Sequence, residues 1–505
     1  MKKTILLLLL PLLGSAQNPA YKQASNYIQQ HKEMMLEEFI QFLEIPNIAT
    51  DKINIQRNAE WLMAAMKKRG IGDVMLMYPT TKGAPPAVYG EVRTPGATET
   101  VIFYAHYDGQ PVDTTKWALG LHPFKPVLVP GIYQTDGKPL NIREALAQET
   151  SRLYARGASD DKGGVMSILN AYTALKESGI APSVNIKFFF EGEEEAGSPH
   201  LQEILESYAN KLESNMWVIC DGPLHQSGRK QVVFGVRGDT HIEVTVFASK
   251  RPLHSGHYGN WAPNPGMQLA KLLSSMKDDK GKVLIKDFYS DVTPLTAAEK
   301  EALKKIPNVD QALKSELGFR YPENPDLSLS DAVNLPSLNI NGIQSANVGK
   351  LSSNVIPTKA IASIDLRLVA GNDWQKQQQK VVNHIKAQGF FVTDKEPTDE
   401  ERKQYAKIAM VELSSGYNAQ KTSLDHPFAK RITKAVGTTS STPIVITPTL
   451  GGSLPLFIFE KYLNTKPVTV PIANHDNNQH AENENIKLVN FWKGIETFMS
   501  IMTMQ

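Results

Sequence analysis

A single cysteine, Cys220, stands among 505 residues, so no intrachain disulfide can form. A chain of this length buries enough apolar surface to do without one. Charge of one sign is hardly in excess: the formal net charge is +2, and Lys2 and Lys3 alone account for it. With no basic block anywhere, no nucleic-acid or anionic-membrane partner is expected. Beyond the first sixteen residues no apolar run is long enough to span a membrane. Those sixteen read as an export leader, residues 1–16: a basic start, apolar Ile5 to Leu13 around Pro11, then small Gly14-Ser15-Ala16 before Gln17. No cysteine lies near the cut, which argues against lipidation. The expected location is the periplasm or the cell exterior.

Three catalytic signatures are missing as well. There is no HExxH zinc helix, no GxSxG elbow and no GxxxxGKS/T phosphate loop. Cys220 lies inside an apolar run, where a nucleophile would be hard to reach. No internal repeat or low-complexity tract is present, and the length calls for two or more domains.

What the chain has is a set of short apolar runs ending in ligand-type residues. TVIFYAHYDG, Thr100 to Gly109, reads as a buried parallel strand with His106 and Asp108 at its carboxyl end. Their i, i+2 spacing puts both on one face if the extended conformation persists. Such a pair is a metal ligand with its orienting partner, half of a catalytic relay, or simply a buried ion pair. Asn185 to Phe190 is another strand, followed by EGEEEAGS with Glu194 and Glu195. Trp217 to Cys220 is a third, followed by Asp221. RGASDDKGG places Asp160 and Asp161 at the start of a helix over Val165 to Leu175, with paired glycines for close backbone approach. NHDNNQHAENE carries His475 and His480.

Amphipathic helices are predicted over Ser25 to Phe42 and Ile55 to Arg69. After Gly238 the pattern changes to alternating strands, His241 to Phe247 and Ala360 to Leu368, as in a sheet with one open face. Lys280 to Asp331 is charged and Pro-interrupted and is expected to form surface helices. Thr449 to Pro455 is expected to be a Gly-rich loop. The organisation predicted is an α/β catalytic domain with a mixed sheet, residues 17–238 and 418–505. An α+β lid or dimerisation domain, residues 239–417, is inserted into it.

Several carboxylates converging at strand ends repel unless they are protonated or share cations. The rival to a metal site is a solvated acidic rim. Two divalent ions balanced by three carboxylates, a hydroxide and neutral imidazoles make a two-metal hydrolase the reading the residues favour. Of the adjacent Glu194 and Glu195, one can ligate while its neighbour stays free to move protons. A two-metal phosphatase or nuclease would want a more basic surface.

The set AHYDG, GASDDKGG, EGEEEAGS, CDGP, RPLHSG and HAENE resembles the M20 metallopeptidases, nearest their long branch of carnosinase-like and non-specific dipeptidases. The motifs keep family order across the chain after the leader. The resemblance implies Asp160 as a carboxylate shared by two ions, Zn²⁺ above all, with Mn²⁺ or Co²⁺ as alternatives. It implies His106 and Asp221 on one ion, and Glu195 with His480 on the other. Glu194 would be the base that activates a bridging water, and Asp108 would orient His106. Asp161 would follow Asp160 across a cis peptide without ligating.

In the inserted domain the resemblance implies a homodimer in which His254 of LHSG reaches the partner's site to stabilise an oxyanion. It also implies Asn354, Arg367, Gly451, Gly452 and Ser453 as substrate-binding residues. On the strand over Ala360 to Leu368, alternation turns Arg367 toward the cleft, where it could clamp a free carboxylate; the alternative is a surface arginine paired with Asp365. The implied activity is hydrolysis of dipeptides or very short peptides with a free C-terminal carboxylate. A carboxypeptidase or N-acyl-amino-acid deacylase of the same fold is the near alternative, and a non-catalytic binding protein the remote one. One departure is HYGN, with Asn260 where related chains carry a second glycine.

Overall fold

The computed structural model describes residues 19–133 and 138–505, so the leader lies outside the described residues. The predicted apolar runs pair side by side in a mixed eight-stranded sheet. Its spatial order is Gly72–Met77, Ala87–Val92, Asn185–Glu191, Thr100–His106, Met216–Ile219, Pro467–Thr469, Gln231–Val233 and Val445–Thr447. Thr100–His106 runs parallel to both its neighbours, with Tyr104 opposite Phe189 on one side and Ile219 on the other. Three parallel strands therefore end together, and the acids and histidine that follow them emerge at one sheet edge. Val101, Phe103 and Ala105 pack one face and Ile102 and Tyr104 the other, so the strand is covered on both sides.

Helices Pro19–Leu43, Lys162–Glu177 and Leu488–Met502 cover the first face. The helix Lys52–Lys68 is capped by Asp51, whose side chain accepts from the Asn54 amide at 3.2 Å. The paired glycines at the start of Lys162–Glu177 do what the sequence suggests. A Cβ on Gly163 would lie 2.4 Å from the Ala158 carbonyl, and one on Gly164 would lie 2.2 Å from Asp161 Oδ1. Lys162, which the sequence did not single out, is fully buried. Its Nζ donates to the carbonyls of Phe42 and Ile45 at 2.8 Å each, closing the end of the first helix.

The second sheet is built on Gly235–Phe247, flanked antiparallel by Lys359–Leu368 and Ile408–Tyr417, with Ser337–Gln344 and Phe391–Thr393 outermost. Ile364, Leu366 and Leu368 point into its core, as the alternation predicts. The start of Gly235–Phe247 also pairs with Gln420–Lys421 and with Leu450–Ser453. The segment Thr449 to Pro455 is thus not wholly a loop. Leu450 sits opposite Val236 and Ser453 opposite Arg237, with a register shift at the two glycines between them. Among the described residues no helix is long and apolar enough to cross a membrane.

Candidate metal centre

His106 is the last residue of its strand and is fully buried. Its Nε2 lies 3.0 Å from Asp160 Oδ1, and its Nδ1 faces Asp108, 3.2 Å from the carbonyl and 3.4 Å from Oδ1. Asp108 does more than orient the imidazole. Its two oxygens accept the backbone amides of Glu194 (3.2 Å) and Glu195 (2.9 Å), so it also fixes the short helical turn Glu194–Ala196. Glu194 Oε2 is 3.8 Å from His106 Nε2. His480 Nε2 reaches Asp160 Oδ2 at 3.2 Å and Glu195 Oε2 at 3.3 Å. Asp221 follows Met216–Ile219 and lines the same cavity as Asp160, Glu194 and His480.

The peptide between Asp160 and Asp161 is cis, and Asp161 turns inward, accepting from the His106 amide. Glu484 holds the loop before it. This buried carboxylate accepts from the amides of Gly157, Ser159 and Asp160 and from the Ser159 hydroxyl at 2.9–3.0 Å, and it pairs with Arg156 at 2.7 Å. Sequence reasoning assigned Glu484 no role, although it closes the HAENE motif.

The electrostatics show what the donor set wants. Burial raises Glu195 to about 9, with Asp160 adding repulsion, and raises Asp221 to about 6 for the same two reasons. Burial also pushes Glu194 well up, against the pull of His106. For Asp160, burial is outweighed by its contacts with His106 and His480, which hold it low. For His106, burial is outweighed by Asp108 and Asp160, which hold it high. Acids crowded this closely need cations to stay ionised together. Asp160 Oδ2 and Glu195 Oε1 are buried without an aligned hydrogen-bond donor. The donors suit two divalent ions, with imidazole and carboxylate matching zinc, manganese or cobalt.

A second His–carboxylate cluster, Asp239, His241 and Asp365, already embraces a cation. Arg367 Nε lies 3.2 Å from Asp365 and 3.6 Å from Asp239, while Arg367 Nη1 donates to Ser453 Oγ at 2.9 Å. Arg367 therefore pairs with Asp365 and at the same time lines the cavity that Asp160 and Glu194 share. Gly451, Gly452 and Ser453 line that cavity too.

His254 and Asn354 do not line it within one chain. They stand together and exposed on the two-stranded pair Leu253–His254 and Val355–Ile356, where the Ser255 amide donates to the Asn354 carbonyl at 3.0 Å. Asn260 adopts φ +60°, a left-handed conformation that asparagine tolerates, so the HYGN departure keeps a glycine-like turn. His475 is exposed and outside the cavity. Cys220 is fully buried, with its thiol pushed well up by burial.

The model of peptidase family M20/M25/M40 matches residues 102–504. The chain is 27% identical to the Cys-Gly metallodipeptidase dug1 of Schizosaccharomyces pombe over 500 residues, covering 93% of this chain and 95% of that one. It is 27% identical to the human Beta-Ala-His dipeptidase over 420 residues, 82% of this chain and 76% of that one. Among solved structures, the M20 family metallo-carboxypeptidase Sso-CP2 of Sulfolobus solfataricus superposes with a TM-score of 0.75. It is 29% identical, over 93% of this chain and 98% of that one.

Proposed function

Since the chain belongs to peptidase family M20/M25/M40, we propose that it is a two-metal dipeptidase that hydrolyses dipeptides or very short peptides with a free C-terminal carboxylate. One observation carries this reading: the metal cluster and the Arg367–Ser453 pair face one cavity of about 620 Å³. A short substrate would place its scissile carbonyl at the first and its carboxylate at the second across that shared cavity. The dipeptidases named above support the same substrate class.

In this mechanism Asp160, His106, Asp221, Glu195 and His480 would hold the two ions, with Asp160 at the centre of the set, 3.0 Å from His106 and 3.2 Å from His480. When bound, the ions supply Lewis-acid polarisation of the carbonyl and stabilise negative charge in the transition state. Glu194 takes the proton of the attacking water and returns it to the departing amine. Asp108 keeps His106 in register and holds the Glu194 turn in place. Arg367 and the Gly451–Ser453 segment bind the substrate carboxylate, an anion matched to a planar guanidinium.

Comparing X-Ala, X-Ala-Ala, C-amidated X-Ala and N-acetyl-Ala at matched concentrations tests the reading. The free dipeptide is expected to be cleaved fastest. Equal rates on the free and amidated dipeptides exclude the carboxylate clamp, and faster cleavage of N-acetyl-Ala makes the enzyme a deacylase. Similarity to Sso-CP2 favours a carboxypeptidase as the second reading, which predicts release of Ala from X-Ala-Ala at least as fast as from X-Ala.

The inserted domain, residues 239–417, serves on this proposal as a homodimer contact, with His254 and the adjacent Asn354 acting on the partner's site. In support, Ile343, Val348 and Leu351 are exposed apolar residues, and so is Val355, opposite His254 in the strand pair. Mixing inactive His254→Ala and Glu194→Gln chains is expected to restore activity, because one site of each heterodimer then has both groups. No recovery once subunits have exchanged rules the trans role out. Export to the periplasm or the cell exterior, on the strength of residues 1–16, belongs to the same proposal.

A further inference from the structure

The charged segment over Lys280 to Asp331 is not merely a solvated surface. It forms helices Ala297–Lys305, Asp310–Leu317 and Leu329–Ala332, and the first packs against strand Val445–Thr447 of the catalytic sheet. Leu303, Ile306, Leu329 and Val333 line the same cavity as Asp160 and Arg367. Leu329 is 43% exposed and the other three are half-buried, so apolar surface is presented to the cavity rather than sealed in a core.

This wall is fixed at both ends. Lys421 Nζ pairs with the buried Glu299 carboxylate at 2.6 Å, next to the Thr296 cap of the first helix. Beyond Val333, Arg237 donates to the Leu335 carbonyl at 3.1 Å and to Ser337 Oγ at 2.7 Å. The wall also stands directly over the carboxylate segment: Val333 Cγ1 is 3.3 Å from where a Cβ on Gly451 would lie.

We propose that Leu303, Ile306, Leu329 and Val333 form the pocket for the side chain of the substrate's C-terminal residue, and that the preferred residue there is large and apolar. The inference rests on the dipeptidase reading, because Arg367, Ser453 and Gly451 decide which end of the substrate lies beside the wall. A small or charged side chain in that position leaves the apolar surface wet or is itself desolvated without a partner. A leucine or phenylalanine covers it.

Two dipeptide series separate this from the reading beneath it. One varies the C-terminal residue (Ala-Gly, Ala-Ala, Ala-Leu, Ala-Phe, Ala-Asp), and the other varies the N-terminal residue with C-terminal alanine. For the wild-type enzyme, kcat/KM is expected to rise about 10-fold or more from Ala-Ala to Ala-Leu or Ala-Phe. The N-terminal series is expected to respond less. Leu303→Gln and Val333→Thr should each reduce the Leu/Ala ratio several-fold, and Leu303→Met should keep it, with circular dichroism and metal content reporting the fold of each. Cleavage of Ala-Ala with a flat C-terminal series, or a larger response in the N-terminal series, overturns the proposal while the dipeptidase reading stands. Variants that fold but leave the Leu/Ala ratio unchanged overturn it too. If no dipeptide is cleaved under any metal condition, the dipeptidase reading fails and takes this pocket assignment with it.

Discussion

Glu194→Gln is expected to lower kcat by at least about 10²-fold while two metal equivalents stay bound, since it removes the base and no ligand. The geometry makes this substitution unusually clean. Glu194 and Glu195 share one helical turn whose amides both donate to Asp108, so a neutral amide at 194 leaves the turn anchored. Glu195 touches His480 and, through Gln110, is held at 2.8 Å; Glu194 has His106 as its near neighbour. Glu195→Gln is therefore expected to lose metal as well as turnover. Elemental analysis with kcat on the same preparations distinguishes the two. Near-wild-type kcat for Glu194→Gln means that the base has been assigned one position too early, and fewer than two equivalents in the wild type, after reconstitution, breaks the two-ion reading.

The second large effect is on stability. Glu484→Ala removes the acceptor for three backbone amides and the Ser159 hydroxyl, and leaves the buried Arg156 without its partner. Breaking one side of a buried ion pair costs about 3–5 kcal/mol. That is expected to appear as a lower denaturant midpoint and as weaker metal binding, because Asp160 sits at the end of the released loop. Glu484→Gln keeps an acceptor oxygen but not the charge, and should cost less, about 1–3 kcal/mol. A loss below about 1 kcal/mol for the alanine variant would show that Arg156 and the loop are held by something else.

Much of the site is legible along the chain because each element carries its own signal. An unbroken apolar run such as Val101 to Tyr104 is a strand covered on both faces, and a ligand-type residue after it falls at the sheet's carboxyl edge. That made His106, Glu194, Glu195 and Asp221 visible together. The paired glycines, Gly163 and Gly164, announced the close approach that only a residue without a Cβ permits. The alternation over Ala360 to Leu368 turned Arg367 away from the core before any contact was known.

Hydrophobic period and residue type are local properties, so the kind of element and the chemistry at its end can be read along the chain. The partners of each element emerge only when the chain folds. Glu484 accepts donors more than three hundred residues earlier, so no local pattern could mark it as the anchor of the Asp160 loop. Leu303 and Ile306 lie in a charged, Pro-interrupted stretch that looks like any solvated surface. They become a cavity wall because two long-range pairings, Lys421 with Glu299 and Arg237 with Leu335, hold that stretch over the site. Periodicity reports which face of an element is apolar, whereas what that face covers depends on contacts between residues far apart in the chain.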